Sequence, residues 1–324
     1  MLQCSVQIID AATVETRLTP DALVSALERM FRDGCTAPVR HHHTVPVPGE
    51  PDGTLLLMPA WRAGGYLGVK LVTIFPGNSQ RHLPAVSAAY IVADAGTGAV
   101  RAMIDGGELT ARRTAATSAL AARYLARSDA AALLVIGTGR IARQLAQFHV
   151  ALRPSLKTVR IWGRSEARAA SLADELRSGG IEASVASNLP AAVAESDIVS
   201  AATLAAEPLI HGGWVRPGTH VDLVGGYTPG MREADDALIE KARVFVDTRA
   251  GAMHAAGDIV APIASGALRA DAVYDLHDLC RGARPGRQRA DEITVFKSVG
   301  AALEDLAAAI LVLEAAPRAS DGRG

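Results

Sequence analysis

The sequence predicts an α/β protein: a parallel sheet covered by helices in the central part of the chain, preceded by a β-rich segment on which the last helix returns to pack. Three observations predict it. Short β-prone runs fill residues 1 to about 112, alanine-rich helices alternate with apolar strands from Thr114 onward, and a long apolar helix follows ITVFKSVG. Alternation of strand and helix marks parallel strands with helices on their faces. With 324 residues and 49% hydrophobic content, the chain has enough material for two cores.

Taken in order, SVQII, TLLLMPAW, YLGVKLVTIF and VSAAYIVADAGTGAV read as strands bounded by turn residues. One helix interrupts them, TPDALVSALERMFRDG. Its Thr19 stands at the N-cap, Pro20 at N1, and Leu23, Leu27 and Phe31 share one face. From Thr114, the helix TAATSALAARYLARS leads into the strand ALLVIGTG. A helix, the strand TVRIWGRS, another helix, and the strands DIVSAAT, HVDLVGG and ARVFVDT follow. The closing helix spans Gly300 to Ala316, and only the tail PRASDGRG reads as loose.

Charge and cysteine usage exclude several classes of function. Lys and Arg total 33 against 34 Asp and Glu, a net charge of −1, so no global field favours nucleic acid or an anionic membrane. Cys4, Cys35 and Cys280 are odd in number and widely spaced, against both a disulfide framework and a CxxC metal knuckle. A reducing, cytoplasmic setting fits. No stretch approaches the roughly 18 apolar residues of a membrane span, and no secretory signal pattern opens the chain.

The strongest local signal is ALLVIGTGRIARQLAQF, an apolar strand running into Gly137-Thr138-Gly139 and then into a helix containing Ala142. This is G-x-G-x-x-A in the strand-to-helix setting that gives the motif meaning. Gly137 permits the tight turn, Gly139 lets a pyrophosphate approach the backbone, and Ala142 keeps the helix close to the strand. The helix N-terminus, opened by Arg140 and Ile141, then points its N–H groups at the phosphates. Dinucleotide readers that prefer NAD carry an acid at the end of the next strand, whereas this chain has Gly163, Arg164 and Ser165 there. Arg164 could meet a 2′-phosphate and Ser165 could donate to it, which favours NADP(H) while leaving NAD(H) possible. Alternatively, Arg164 caps a surface turn.

Three cations of the N-terminal half lie in apolar or small-residue contexts: Arg40 in APVRHHH, Lys70 in YLGVKLVTIFPGN and Arg113 in LTARRTAATSA. A strand lysine between Val69 and Leu71 must find an anion, a pocket or solvent. Read singly, each could be a solvated or ion-paired side chain. His41, His42 and His43 suggest a metal, but in an extended segment only His41 and His43 share a face. HExxH, cysteine–histidine spacings and the G-x-S-x-G elbow are all absent from the sequence, so no metal site and no hydrolase is expected.

These residues, taken together, resemble the ornithine cyclodeaminase/mu-crystallin family. The correspondence runs through PVR at Arg40, LMPAW, GVKLVTIFPGN, TARRTAATSALAARYLAR, IGTGRIARQ, VRIWGRS, SDIVSAAT, WVRPGTHVDLVGGYTPGMREAD and ITVFKSVGAALEDLAAA. The resemblance implies a homodimer whose substrate-binding and dimerisation domain is built from residues 1–112 and 300–324. A Rossmann domain, residues 113–299, is inserted between them. It implies further that Arg40 and Arg113 clamp an α-carboxylate, with Lys70 beside the reacting nitrogen. Thr114 would hold the cofactor, together with Ala202, Thr203, Val224, Gly225, Lys297 and Ser298 at the later strand ends.

Two departures narrow the activity. Cyclodeaminases of this pattern carry an aspartate in G-G-D-x-P-G, and here Gly225-Gly226-Tyr227-Thr228-Pro229-Gly230 puts Tyr227 in its place. A phenol gives up its proton far less readily than a carboxylate and is a poor replacement as acid/base. The F-D-S-V-G of cyclodeaminases is Phe296-Lys297-Ser298-Val299-Gly300 here. Both variants resemble the ketimine reductase branch. The expected reaction is therefore NADPH-dependent reduction of a cyclic ketimine, Δ1-pyrroline-2-carboxylate or Δ1-piperideine-2-carboxylate, to L-proline or L-pipecolate. The alternatives are ornithine cyclodeamination with bound NAD, an alanine dehydrogenase-like reaction, and a binding protein without turnover.

Overall fold

Two sheets organise the chain, and their strand pairings differ because their sequences alternate differently. The computed structural model describes residues 6–315; Cys4, Ser5 and everything from Ala316 onward lie outside them. The chain divides into two units, Met1–Arg113 with Ala301–Gly324, and Thr114–Gly300.

In the first unit, β1 (Gln7–Ile9) precedes α1 (Ala11–Arg17) and α2 (Pro20–Asp33). Then come β2 (His41–Val45), β3 (Gly53–Trp61), β4 (Tyr66–Ile74), β5 (Val86–Asp94) and β6 (Val100–Asp105), and α3 (Gly106–Leu125) carries the chain through Arg113 into the second unit. Thr19 is the N-cap of α2 and Pro20 its first residue, although the Thr19 side chain makes no cap bond. Leu23, Leu27 and Phe31 are fully buried on one face. Helix α1, not expected from the sequence, starts where the Asp10 carboxylate accepts from Thr13 N at 2.9 Å. The run VSAAYIVADAGTGAV is two strands rather than one. Asp94 folds it into a hairpin by accepting from Gly96 N, Thr97 N and Thr97 Oγ1 at 2.8–3.0 Å.

The six strands lie in the order β1-β6-β5-β4-β3-β2, antiparallel except for β1 with β6. Alternate residues face opposite sides. Met58, Lys70, Tyr90 and Ile104 form one buried row across β3, β4, β5 and β6.

The second unit contains β7 (Ala132–Ile136), α4 (Arg140–Leu152), β8 (Thr158–Trp162), α5 (Glu166–Ser178), β9 (Ala183–Val185), α6 (Leu189–Ala194), β10 (Ile198–Ala201) and β11 (His220–Leu223). It continues with α7 (Asp236–Lys241), β12 (Ala242–Val246), α8 (Arg249–Ala255), α9 (Gly257–Ser265), β13 (Val273–Asp275), α10 (Leu276–Cys280) and β14 (Ile293–Lys297). Its eight strands are all parallel, in the order β13-β12-β14-β11-β10-β7-β8-β9. The central strands β7, β10, β11 and β14 are buried on both faces, and the apolar runs of β7 and β10 follow from that. Chain order reverses between β7 and β10, the topological switch point at which open α/β sheets take ligands. The chain then returns to the first unit as α11 (Ala302–Glu314), packed on α2, β3 and β4.

Candidate active site

In the first unit, the return of α11 turns the isolated Lys70 of the sequence into one member of a cluster. Lys70 Nζ lies 3.0 and 2.9 Å from the two carboxylate oxygens of Asp305, in the first turn of α11. Arg113, from α3, donates through Nε to the same Asp305 at 2.9 Å and through Nη1 to Glu304 at 2.5 Å. All four side chains are buried. Two acids at a helix N-terminus gain from its dipole, and two cations facing them offset the cost of burial.

Burial lowers the Lys70 ammonium to about 8; Asp305 works against that fall and Arg113 adds to it. Burial also opposes the charge of Arg113, but Asp305 and Glu304 outweigh it and hold the guanidinium above its ordinary value. Tyr90, the cross-strand neighbour of Lys70, is fully buried, and its hydroxyl has no hydrogen-bond partner among the described residues. That hydroxyl lies over Gly68, where a Cβ would come within 2.1 Å of it. Burial first, then the nearby Asp305, pushes the phenol well above its usual range.

Arg40 stands one residue before β2, half-buried. Because His41 pairs with Leu57, continuing the register places Arg40 in the row of Met58, Lys70 and Tyr90. Two strand spacings, roughly 10 Å, separate its backbone from that of Lys70, within reach of two long side chains converging on one anion. His41 and His43 are exposed, with ring centroids 6.4 Å apart. Among the described residues no group of three metal-ligating side chains stands together.

The sequence reading missed Glu304, Asp305 and Tyr90. Adjacent acids inside the otherwise apolar ALEDLAAAI were the available signal, because such a pair is buried only against cations.

In the second unit, the glycine turn has the geometry of a dinucleotide cradle. Gly137 has φ +128°, and a Cβ there would come within 2.6 Å of Ala202 O. Gly139 is the N-cap of α4 without a side-chain cap bond, and a Cβ on it would meet nothing within 4 Å. Amide donors therefore open onto space, as a pyrophosphate requires. Arg140 and Ile141 form the first turn of α4, and Ala142 is buried against β7. Thr138 packs its methyl on Gly163, where a Cβ would lie 2.6 Å from it, so the loops after β7 and β8 close on one another.

Arg164 is exposed, and Ser165 is the N-cap of α5, accepting from Arg168 N at 3.4 Å. A cleft between the first turns of α4 and α5 is lined by Thr138, Gly139, Arg140, Arg143 and Arg168. Arg143 is already bridged to Glu175 at 2.7 Å. Arg168, one turn beyond Arg164, is a cation the sequence reading did not select.

The later strand ends depart from expectation in one respect. Ala202 and Thr203 follow β10, and Val224 and Gly225 follow β11, all at the carboxyl edge of the sheet. The side chains of Lys297 and Ser298, expected at the cofactor, are instead enclosed. Lys297 Nζ lies 3.1 Å from Asp258 Oδ2, and Ser298 Oγ lies 3.4 Å from Asp247 Oδ2. A lysine with no exposed surface must pair with an acid, and Asp258 supplies it. Thr114 is buried at the start of the second unit's part of α3, and Tyr227 is 40% exposed on the loop after β11.

Comparison with known proteins gives the family and the fold. The family model described as "Ornithine cyclodeaminase/mu-crystallin family" matches residues 5–320. A Δ1-pyrroline-2-carboxylate reductase of Paracoccus denitrificans is 44% identical over 286 residues, covering 85% of this chain and 90% of its own. The solved structure of the Thermococcus litoralis Δ1-pyrroline-2-carboxylate reductase, in complex with NADH and L-proline, superposes with a TM-score of 0.87 at 31% identity, covering 95% of this chain and 97% of that one. An archaeal alanine dehydrogenase dimer with bound NAD has a TM-score of 0.86 at 29% identity, with 95% of both chains covered. The chain belongs to the ornithine cyclodeaminase/mu-crystallin family.

Proposed function

We propose that this protein is an NAD(P)H-dependent oxidoreductase that reduces the C=N bond of a cyclic ketimine, Δ1-pyrroline-2-carboxylate or Δ1-piperideine-2-carboxylate, to L-proline or L-pipecolate. The observation that carries the reading is Lys70, a buried lysine lowered to about 8 and held on Asp305 beside Arg113. A group that ionises near neutral pH can hand over a proton in the pH range where an imine needs one. Arg40 and Arg113 bind the substrate carboxylate, and Lys70 protonates the ring nitrogen, which makes the adjacent carbon electrophilic. The hydride for that carbon would come from a nicotinamide held at the glycine turn. Asp305 restrains the ammonium in one place and keeps it charged. Tyr90, beside Lys70, closes the floor of the site and excludes water from the proton's path.

The residues of the cradle suit a nicotinamide dinucleotide: Gly137, Thr138, Gly139, Arg140 and Ile141 at the phosphates, Gly163, Arg164 and Ser165 at the adenosine ribose, and Thr114, Ala202, Thr203, Val224 and Gly225 at the other half. NADPH is preferred over NADH in this reading, because the end of β8 offers Arg164 and no acid, with Arg140 and Arg168 close by. The two solved relatives hold NADH and NAD, and titrating this chain with NADPH and NADH decides between the cofactors.

The working form is a cytoplasmic homodimer. The sheet face opposite the buried row presents Ile8, Met103, Ile91 and Leu71 to solvent, a contiguous apolar band that a second copy would cover by two-fold symmetry.

The test is absorbance at the reduced-nicotinamide band with five- and six-membered ketimines. Oxidation of NADPH by either ring, without added ammonium, supports the reading. Ammonia release from ornithine without reductant would instead identify a cyclodeaminase, and strict dependence on ammonium with pyruvate an alanine dehydrogenase-like enzyme, the reaction of the archaeal structural relative.

A further inference from the structure

Beneath the carboxyl edge of the parallel sheet lies a second buried ion cluster that the proposed chemistry does not use. Glu233 is fully buried and accepts from Thr203 N at 2.7 Å and Thr203 Oγ1 at 2.8 Å through one oxygen, and from Gly225 N at 2.8 Å through the other. Its single carboxylate therefore ties the loop after β10 to the loop after β11. Asp258, at the start of α9, accepts in turn from Glu233 N at 2.7 Å and Ala234 N at 3.1 Å. Lys297, the last residue of β14, stands between the two acids, 3.1 Å from Asp258 and 3.9 Å from Glu233. The loops meet so closely that a Cβ on Gly225 would fall 1.8 Å from Thr203 O and 2.6 Å from Glu233 Oε1.

These two loops sit on the β10 side of the switch point, next to the β7–β8 half to which the reading above gives the phosphates and adenosine. In a doubly wound sheet the two halves hold the two halves of a dinucleotide. We propose that Glu233, braced by Lys297 and Asp258, is a positioning residue that fixes Thr203 and Gly225 for the nicotinamide half of the cofactor. This inference rests on the cofactor reading above.

Glutamine at position 233 keeps the shape but replaces one acceptor by a donor, so it can satisfy either Thr203 or Gly225 and not both. Full-length Glu233→Gln, titrated by fluorescence, should bind NADH about tenfold more weakly than wild type. Its affinity for ADP-ribose, which lacks the nicotinamide, should stay within about twofold of wild type. Thr203→Val, which removes only the hydroxyl donor, should weaken NADH about threefold with the same selectivity and keeps the test open if the first variant does not fold. Unchanged NADH affinity in a folded variant, or equal losses for NADH and ADP-ribose, would overturn the role of Glu233. A wild-type chain that binds neither of these nucleotides, nor NADPH, would overturn the cofactor reading and this inference with it.

Discussion

The buried ion clusters around Lys70 and Lys297 have different charge balances, and the residues that respond are different. Around Lys70, two cations meet two acids, and it is the lysine that moves, down to about 8, while Arg113 is held charged. Around Lys297, one cation meets two acids. There it is the acid that moves: burial foremost, then Asp258, lifts Glu233 to about 7 against the pull of Lys297 and its backbone donors. Burial disfavours charge in both places, and the member with least compensation yields. A balanced cluster thus prepares a cation that can release a proton, whereas a cluster short of positive charge prepares an acid that takes one up more readily.

The largest expected effect is on turnover: Lys70→Ala should lower kcat by about 10²–10⁴-fold while NADPH binding persists, measured by steady-state rates and titration. Wild-type turnover in that variant would remove Lys70 from the proposed reaction. Next in size is Lys297→Met, which leaves Glu233 and Asp258 without their cation. Chemical denaturation should record a loss of about 3–5 kcal/mol, and a near-neutral result would mean the second cluster contributes packing alone. Arg164→Ala should cut the preference for NADPH over NADH by about tenfold or more. An unchanged ratio would leave cofactor choice to Arg140 and Arg168.

Smaller effects sharpen the contrast through pH. Reduction should fall as pH rises past about 8, where Lys70 loses its proton, and Asp305→Asn should move that limb to lower pH because the carboxylate favours the ammonium. For Glu233 the folded state keeps a proton that the unfolded chain gives up near 4.5. Its contribution to stability therefore declines as pH rises from about 4.5 to about 7. Glu233→Gln should flatten stability across that window, and a slope identical to wild type would assign the pH dependence elsewhere.

The geometry of the Gly137–Gly139 turn was legible in the sequence, because a glycine turn is a local device. Gly137, Gly139 and Ala142 act through φ angles and close backbone approaches set within a few residues, and the strand and helix flanking them declare themselves by apolar pattern. Lys70 was legible as a charge that needed a partner, but the partner was not. Asp305 lies far along the chain, and Lys297 reads equally well as a cofactor contact until Asp258 is found against it.

Short-range pattern was enough to read the parallel sheet and the glycine turn, and ordered motifs were enough to read the family. Only the tertiary structure decided which acids face which cations, because ion pairs form between elements that the chain brings together from distant positions. Burial then sets how strongly each pair shifts its proton, and burial is a property of the packed elements rather than of any one of them.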